Sequence, residues 1–95
     1  MPSMHKLSKN NTTLTTRNGV NVLTLHSTEI VRHNPATGEI VLNSGGWQTS
    51  TTKARMTQYF NTRNLPICVF QEKREWFVRA NGQTLPFHDG MTVTV

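Results

Sequence analysis

The chain of 95 residues has a single cysteine, Cys68. One thiol forms no intrachain disulfide bond and cannot build a zinc site from several cysteines. Its position between Ile67 and Val69, in an apolar segment, predicts a buried and unreactive side chain. The sequence therefore excludes a disulfide-rich scaffold and fits a reducing compartment.

Long hydrophobic stretches are also missing. No apolar run exceeds four residues, whereas roughly 20 are needed to cross a bilayer. The opening segment, Met1–Asn10, lacks the hydrophobic core of a secretory signal. We therefore expect one domain over residues 1–95, with a flexible polar N-terminus over 1–10 and no membrane segment.

Carboxylates are scarce, and no residue pattern typical of catalysis is present. The five acidic residues lie at predicted strand ends and turns: Glu29, Glu39, Glu72, Glu75 and Asp89. The four histidines have no i, i+4 pair of the kind that binds metal on a helix. Gly45-Gly46 lacks the lysine spacing of a phosphate-binding loop. We expect no catalytic residue, no metal and no cofactor, and hence no enzyme.

Turn signals divide most of the chain into strands. Asn-Gly dipeptides are the strongest short hairpin signal, because both central residues of that turn need positive φ. They occur at Asn18-Gly19 and Asn81-Gly82, and further turns are predicted at Asn34–Gly38 and Asp89-Gly90. Between these turns lie β-branched and apolar segments that favour strands. Pro86 places its strand near a sheet edge.

One segment has helical periodicity instead. Ser50 or Thr51 can cap a helix that runs to about Thr62. Met56, Tyr59 and Phe60 then share one face, at i, i+3 and i+4. Because one helix cannot cover a wide flat sheet, we predict an α+β fold: a curled antiparallel sheet of about seven strands packed on one central helix.

Charge is distributed unevenly along the chain. Ten Lys and Arg against five Asp and Glu give a net charge of +5. No acidic residue precedes Glu29, and none lies between Glu39 and Glu72. Basic groups interleaved with aromatic rings suit a phosphate backbone and stacked bases. The predicted interface comprises Arg17, Lys53, Arg55, Arg63, Lys73, Arg74 and Arg79, with Trp47 or Trp76 for stacking.

Two binding functions remain open at this point. One is nucleic-acid binding by phosphate neutralisation, and the other is binding to a protein partner that presents an acidic surface. In both, Arg55 is the best exposed contact on the helix, with Lys53 nearer the helix N-terminus. Because Trp76 alternates with Phe77, one ring should face inward and the other outward.

Several stretches of the sequence are distinctive. The most distinctive block is Leu42-Asn43-Ser44-Gly45-Gly46-Trp47-Gln48-Thr49 followed by Thr51-Thr52-Lys53-Ala54-Arg55-Met56, and the others are Lys6-Leu7-Ser8, Asn11-Thr12-Thr13-Leu14 and Leu25–Val31. Through these residues the sequence resembles a family of small, mostly uncharacterised proteins from tailed bacteriophages. The resemblance covers most of the chain and implies a non-enzymatic accessory protein that acts in the host cell cytoplasm. It transfers no catalytic residue, and it implies that a protein partner would be a host protein that the phage protein binds and blocks, such as a nucleic-acid-handling or defence enzyme.

Overall fold

The computed structural model describes residues 12–46 and 48–95. The predicted flexible segment over 1–10 lies outside them. The described chain folds into eight strands and one helix, in the order β1 (Thr12–Arg17), β2 (Val20–Leu25), β3 (Thr28–Asn34), β4 (Glu39–Leu42), α1 (Ser50–Thr62), β5 (Ile67–Glu72), β6 (Glu75–Ala80), β7 (Gln83–Pro86) and β8 (Met91–Thr94).

Five strands form the large sheet, in the order β1-β2-β3-β4-β8. The first four make the meander that the turn signals predict, and every pairing is antiparallel. Asn18 and Gly19 both have positive φ in the β1–β2 turn, as a type I′ hairpin requires. The large sheet therefore follows directly from local turn chemistry, except for β8.

The remaining three strands form the small sheet, in the order β5-β6-β7. Pro86 ends β7, which is the edge strand that the proline predicts. After β7 the chain crosses to the large sheet, where the Gly90 amide donates to the Leu42 carbonyl at 2.7 Å. This crossing allows β8 to pair with β4 instead of extending the small sheet.

The helix α1 connects the two sheets, packing on β5 from one side and on β2 and β3 from the other. Its apolar face is the predicted one, since Met56, Tyr59 and Phe60 are fully buried. Thr49 caps the first turn, accepting a hydrogen bond from the Thr52 amide through its hydroxyl at 3.2 Å. The shared core also contains Leu23, Ile30, Val31, Ile40, Leu42, Val69, Trp76 and Val78.

The α+β class is confirmed, with two differences from the prediction. The described strands number eight, not seven, and they form two open antiparallel sheets instead of one curled sheet. The physical reason is that α1 lies between the two sheets and contacts both, so the single helix covers two small sheets instead of one wide sheet.

Candidate functional site

One carboxylate on the large sheet pairs with two arginines, the predicted contact Arg17 and the additional Arg32. Glu29 lies 3.9 Å from the Arg17 guanidinium and 3.8 Å from that of Arg32. These are the ion pairs that the structure shows within residues 12–46 and 48–95. Two cations and one carboxylate leave one positive charge in this patch, so the charge of Arg17 is only partly offset, and Arg17 is a weaker candidate for attracting an anion.

Lys53 lies in the first turn of α1 and reaches the small sheet. Its Nζ donates a hydrogen bond to Oε1 of Gln71 at 3.0 Å and lies 5.7 Å from the centre of the Trp76 ring. Gln71 lies on β5, two residues before Lys73 in the β5–β6 turn. Lys53 is half-buried and lies at the same end of the molecule as that turn.

Arg55 does not have the exposure that the sequence predicts. It is half-buried, and its Nε donates to the Thr12 hydroxyl on β1 at 3.3 Å. The long side chain crosses from the polar face of the helix to the edge strand of the large sheet. Arg55 is therefore a link between α1 and β1, and the expectation that it is the best exposed contact is corrected.

Arg63 caps the C-terminus of α1, far along the helix from Lys53. Its guanidinium lies 5.4 Å from the centre of the Tyr59 ring. Burial lowers the pKa of His33, and the Arg63 charge lowers it further, so the ring is neutral at pH 7. Burial raises the pKa of Tyr59, against the opposing effects of Asn21 and Arg63. Arg63 therefore lies over a buried polar cluster at the end of the molecule opposite to Lys53.

The β5–β6 turn holds Lys73 and Arg74 in an unusual conformation. Their φ angles are 52° and 69°, both in the left-handed region. In the two other hairpins with this geometry the same positions are Asn18-Gly19 and Asn81-Gly82. The left-handed conformation costs a bulky L-residue about 1–2 kcal/mol. Two exposed cations thus occupy turn positions that require positive φ, which the other two hairpins fill with Asn-Gly.

One face of the small sheet points away from the core and carries two aromatic rings. Phe70 and Phe77 are direct partners on β5 and β6, and both are half-buried. Their ring centres are 5.6 Å apart and their planes differ by 26°. The Arg79 guanidinium lies 5.7 Å from the centre of the Phe70 ring. We call this face, with Cys68, Phe70, Phe77 and Arg79, the outer face.

The prediction for Cys68 is wrong, because its side chain is exposed. It alternates with the buried Ile67 and Val69 along β5 and is the direct partner of Arg79 on β6. Apolar neighbours in sequence indicated burial, but strand alternation turns this residue to the opposite face. The thiol therefore lies beside Arg79 on the outer face.

The two tryptophans have different outcomes. Trp76 is only 4% exposed and packs edge-on against Phe87, with 5.3 Å between ring centres. A buried ring cannot stack on a base, so the stacking role proposed for Trp76 is corrected. The prediction that Trp76 and Phe77 face opposite ways is confirmed, and Phe77 is the outward ring. Trp47 lies outside the described residues.

The described residues include a cavity, but neither a cluster of metal-ligating side chains nor a membrane-spanning helix. The cavity, of about 570 Å³, lies at the start of α1 and is lined by Leu25 and Ile30 and by Thr49, Thr51 and Thr52 at the helix N-terminus. Over residues 12–46 and 48–95, no group of three His, Cys, Asp or Glu side chains could hold a metal ion. In that same part of the chain, no helix is long and apolar enough to span a membrane.

The sequence-predicted cations thus separate into groups. Lys53, Lys73 and Arg74 surround one end of the β5–β6 hairpin, and Arg79 lies on its outer face. Arg17, Arg55 and Arg63 lie elsewhere. The Phe70–Phe77 pair was missed, although the alternation of Trp76 with Phe77 was a usable signal. What the sequence could not show is that Phe70 faces Phe77 across two strands.

No curated protein and no solved structure matches the chain. A family model described as Kyanoviridae Gp96 protein matches residues 2–94, nearly the whole sequence. The expected resemblance to small bacteriophage proteins is thereby confirmed, and the chain belongs to the Kyanoviridae Gp96 family of phage proteins.

Proposed function

We propose that this phage protein is a non-enzymatic nucleic-acid-binding protein whose contact surface is the β5–β6 hairpin. The observation that carries the proposal is the pair of cations at the turn. Lys73 and Arg74 both adopt positive φ, at a conformational cost that Asn-Gly would avoid. A costly arrangement of charged residues at an exposed tip is expected where the charge itself has a role.

The surrounding charges support the same surface. Lys53 lies beside this end of the hairpin through its contact with Gln71, and Arg79 lies farther along β6. Glu72 and Glu75 flank Lys73 and Arg74 in sequence, so the turn carries no net charge, but no ion pair holds either cation in residues 12–46 and 48–95. On the large sheet, Glu29 pairs with Arg17 and Arg32. A cation that no carboxylate holds can neutralise a phosphate, which releases counterions from the nucleic acid. A phage protein with this surface would meet nucleic acid in the cytoplasm of the infected host cell.

The decisive variant replaces the turn by the sequence found in the other hairpins, Lys73→Asn with Arg74→Gly. Relief of backbone strain offsets the extra freedom that glycine gives the unfolded chain, so stability should equal or exceed that of wild type. Binding of DNA and RNA oligonucleotides, measured by fluorescence anisotropy at several salt concentrations, should weaken. The slope of log affinity against log salt should become shallower by roughly 1.5 to 2.

A matched control is the double variant Arg17→Gln with Arg32→Gln. It also removes two positive charges from the net charge of +5, but it removes them from the patch around Glu29 and not from the hairpin. Its affinity should stay near wild type. Equal losses in the two double variants would show that only net charge matters and would overturn the assignment to the hairpin. If wild type binds no nucleic acid, the proposal fails, and an acidic surface on a host protein becomes the partner to test.

A further inference from the structure

We infer that the outer face of the small sheet binds single-stranded nucleic acid, with unpaired bases stacked on the Phe70–Phe77 pair and phosphates beside Arg79 and the turn. This inference rests on the proposed function and adds the class of nucleic acid to it. It also assigns a binding role to Phe70 and Phe77, which the charge pattern alone did not single out.

The ring pair is placed where a base could reach it. Phe70 and Phe77 alternate with Val69, Trp76 and Val78, which are buried in the core. The helix α1 covers that inner side, as the contacts of Lys53 with Gln71 and Trp76 show. Among the described elements with more than marginal contacts, β5 and β6 touch each other, α1 and β7. The two rings therefore lie on the side of the sheet away from α1, where each is half-buried.

A cation is held against this aromatic surface. The Arg79 guanidinium lies over the Phe70 ring, and its Nε donates to the Thr84 hydroxyl on β7 at 3.3 Å. Arg79 follows Phe77 by two residues, so both side chains are on the same face of β6. Because Arg79 covers part of Phe70, a base would stack on the parts of the ring pair that Arg79 leaves exposed, with its phosphate within reach of the guanidinium.

The rings favour a single strand over a duplex. In a duplex the faces of the bases are covered by their neighbours, and only the phosphates and groove edges are available. An unpaired base exposes its face and can stack on an aromatic side chain. Cations alone would bind both forms, whereas the ring pair adds affinity only for the unpaired one.

Two carboxylates on the same face define the path of the strand. Glu72 and Glu75 are direct partners at the end of the hairpin, two residues beyond Phe70 and two before Phe77. Both are exposed, and their charges repel phosphate. The phosphate next to a base on the rings should therefore lie on the Arg79 side, and Lys73 and Arg74, beyond the two carboxylates, would contact phosphates farther along the strand. The variant Glu72→Gln with Glu75→Gln is expected to bind a single strand more tightly than wild type.

The main test replaces both rings by aliphatic side chains, Phe70→Leu with Phe77→Leu, which keeps an apolar surface but removes the aromatic faces. The probes are oligothymidylate of about 12 nucleotides and a duplex of the same length, since single-strand sites span about 4–16 nucleotides. Affinity for the single strand should fall about tenfold or more, while duplex affinity stays unchanged. The matched control is Phe87→Leu, which alters a ring packed on Trp76 and should leave both affinities unchanged.

The lone cysteine gives an independent measure of location. Cys68 lies exposed on the outer face opposite Arg79, so bound oligothymidylate should slow its alkylation by iodoacetamide. The control is the variant Cys68→Ser with Thr15→Cys, which moves the thiol to an exposed position on β1. Alkylation of that thiol should not change when the oligonucleotide is added.

The possible failures can be told apart. If the single strand and the duplex bind equally and the leucine double variant binds both like wild type, the single-strand inference is overturned while the proposed function stands. Unprotected Cys68 at saturating oligothymidylate would also overturn it, because the strand would then lie on another surface. If neither probe binds wild type, the proposed function itself fails.

Discussion

The hydroxyl of Tyr59 on α1 lies 2.7 Å from Nδ1 of His33 on β3, and both side chains are buried. The same hydroxyl oxygen accepts a hydrogen bond from Nδ2 of Asn21 at 3.1 Å. The Thr16 hydroxyl in turn donates to Oδ1 of Asn21 at 2.8 Å. Because the Asn21 amide nitrogen can only donate, the hydrogen of the Tyr59 hydroxyl is assigned to the bond with His33 Nδ1. A chain of hydrogen bonds therefore ties the helix to three strands of the large sheet.

Removing the hydroxyl, as in Tyr59→Phe, should lower the free energy of unfolding by about 1–3 kcal/mol. The ring keeps its packing, but the Asn21 amide and His33 Nδ1 lose a buried partner. Urea unfolding measures the change. The control is Thr62→Val, which removes an exposed hydroxyl that donates to the Gln58 carbonyl on the same helix. An equal loss of stability in the two variants would contradict the role of the buried network.

Stability should fall as pH drops below about 6.5, the ordinary pKa of histidine. Burial and the Arg63 charge lower the pKa of His33 in the folded state. The unfolded chain therefore binds a proton that the native ring does not, and protonation favours unfolding. The contribution is complete above 6.5 and is lost as pH falls toward the lowered pKa. Urea unfolding across pH 5–8 measures this slope.

The matched variants for this slope are His33→Gln and His88→Gln. The first should flatten the dependence, whatever its effect on stability at neutral pH. The second alters an exposed histidine and should leave the slope in place. If His33→Gln retains the full wild-type slope, another group is responsible.

A second loss of stability is expected in acid, beginning near 3.8, the ordinary pKa of aspartate. Burial acts to raise the pKa of Asp89, but hydrogen bonds from Ser44 and Gly46 outweigh it and leave the pKa lowered. The Ser44 amide and hydroxyl lie 2.8 and 2.7 Å from the carboxylate oxygen. This contribution is present above 3.8 and disappears as pH falls through the lowered pKa. Asp89→Asn should remove the acid step in thermal unfolding, and an unchanged step would reject this assignment.

Phe60→Ala should cost about 3–5 kcal/mol, because the ring is only 1% exposed in the core shared by both sheets. Its truncation leaves a cavity where the helix meets the strands. Thermal unfolding followed by circular dichroism measures the loss. Asn61→Ala, at the neighbouring exposed position, should change stability little, and a Phe60→Ala melting point within a degree or two of wild type would contradict the packing.

The two glycines before α1 should differ in their tolerance of valine. Both have positive φ, 65° at Gly45 and 84° at Gly46. A Cβ at Gly45 would come within 2.6 Å of the Thr28 hydroxyl oxygen, whereas at Gly46 nothing lies within 4 Å. Gly46→Val should cost about 1–2 kcal/mol from backbone strain alone, and Gly45→Val should cost more. Equal tolerance at both positions would show that contact with Thr28 is not limiting.

The sequence alone determined the elements whose signals are local. Met56, Tyr59 and Phe60 share a helical face because of their spacing, and all three are buried. Asn18-Gly19 and Asn81-Gly82 form the turns that their positive φ angles require. The cationic character of the β5–β6 turn was likewise visible in Lys73 and Arg74. Each of these features depends on residues a few positions apart.

Only the tertiary structure decided which distant residues meet. The pairing of β8 with β4 divided the strands into two sheets, and the position of α1 between them buried Trp76. Arg55 is half-buried because β1 lies close to α1, so that the Arg55 guanidinium donates a hydrogen bond to the Thr12 hydroxyl. The outer face arose when β5 and β6 paired in a register that places Phe70 opposite Phe77 and Cys68 opposite Arg79. Such contacts depend on the register between strands and on the face each strand buries, which are set by packing across the whole chain.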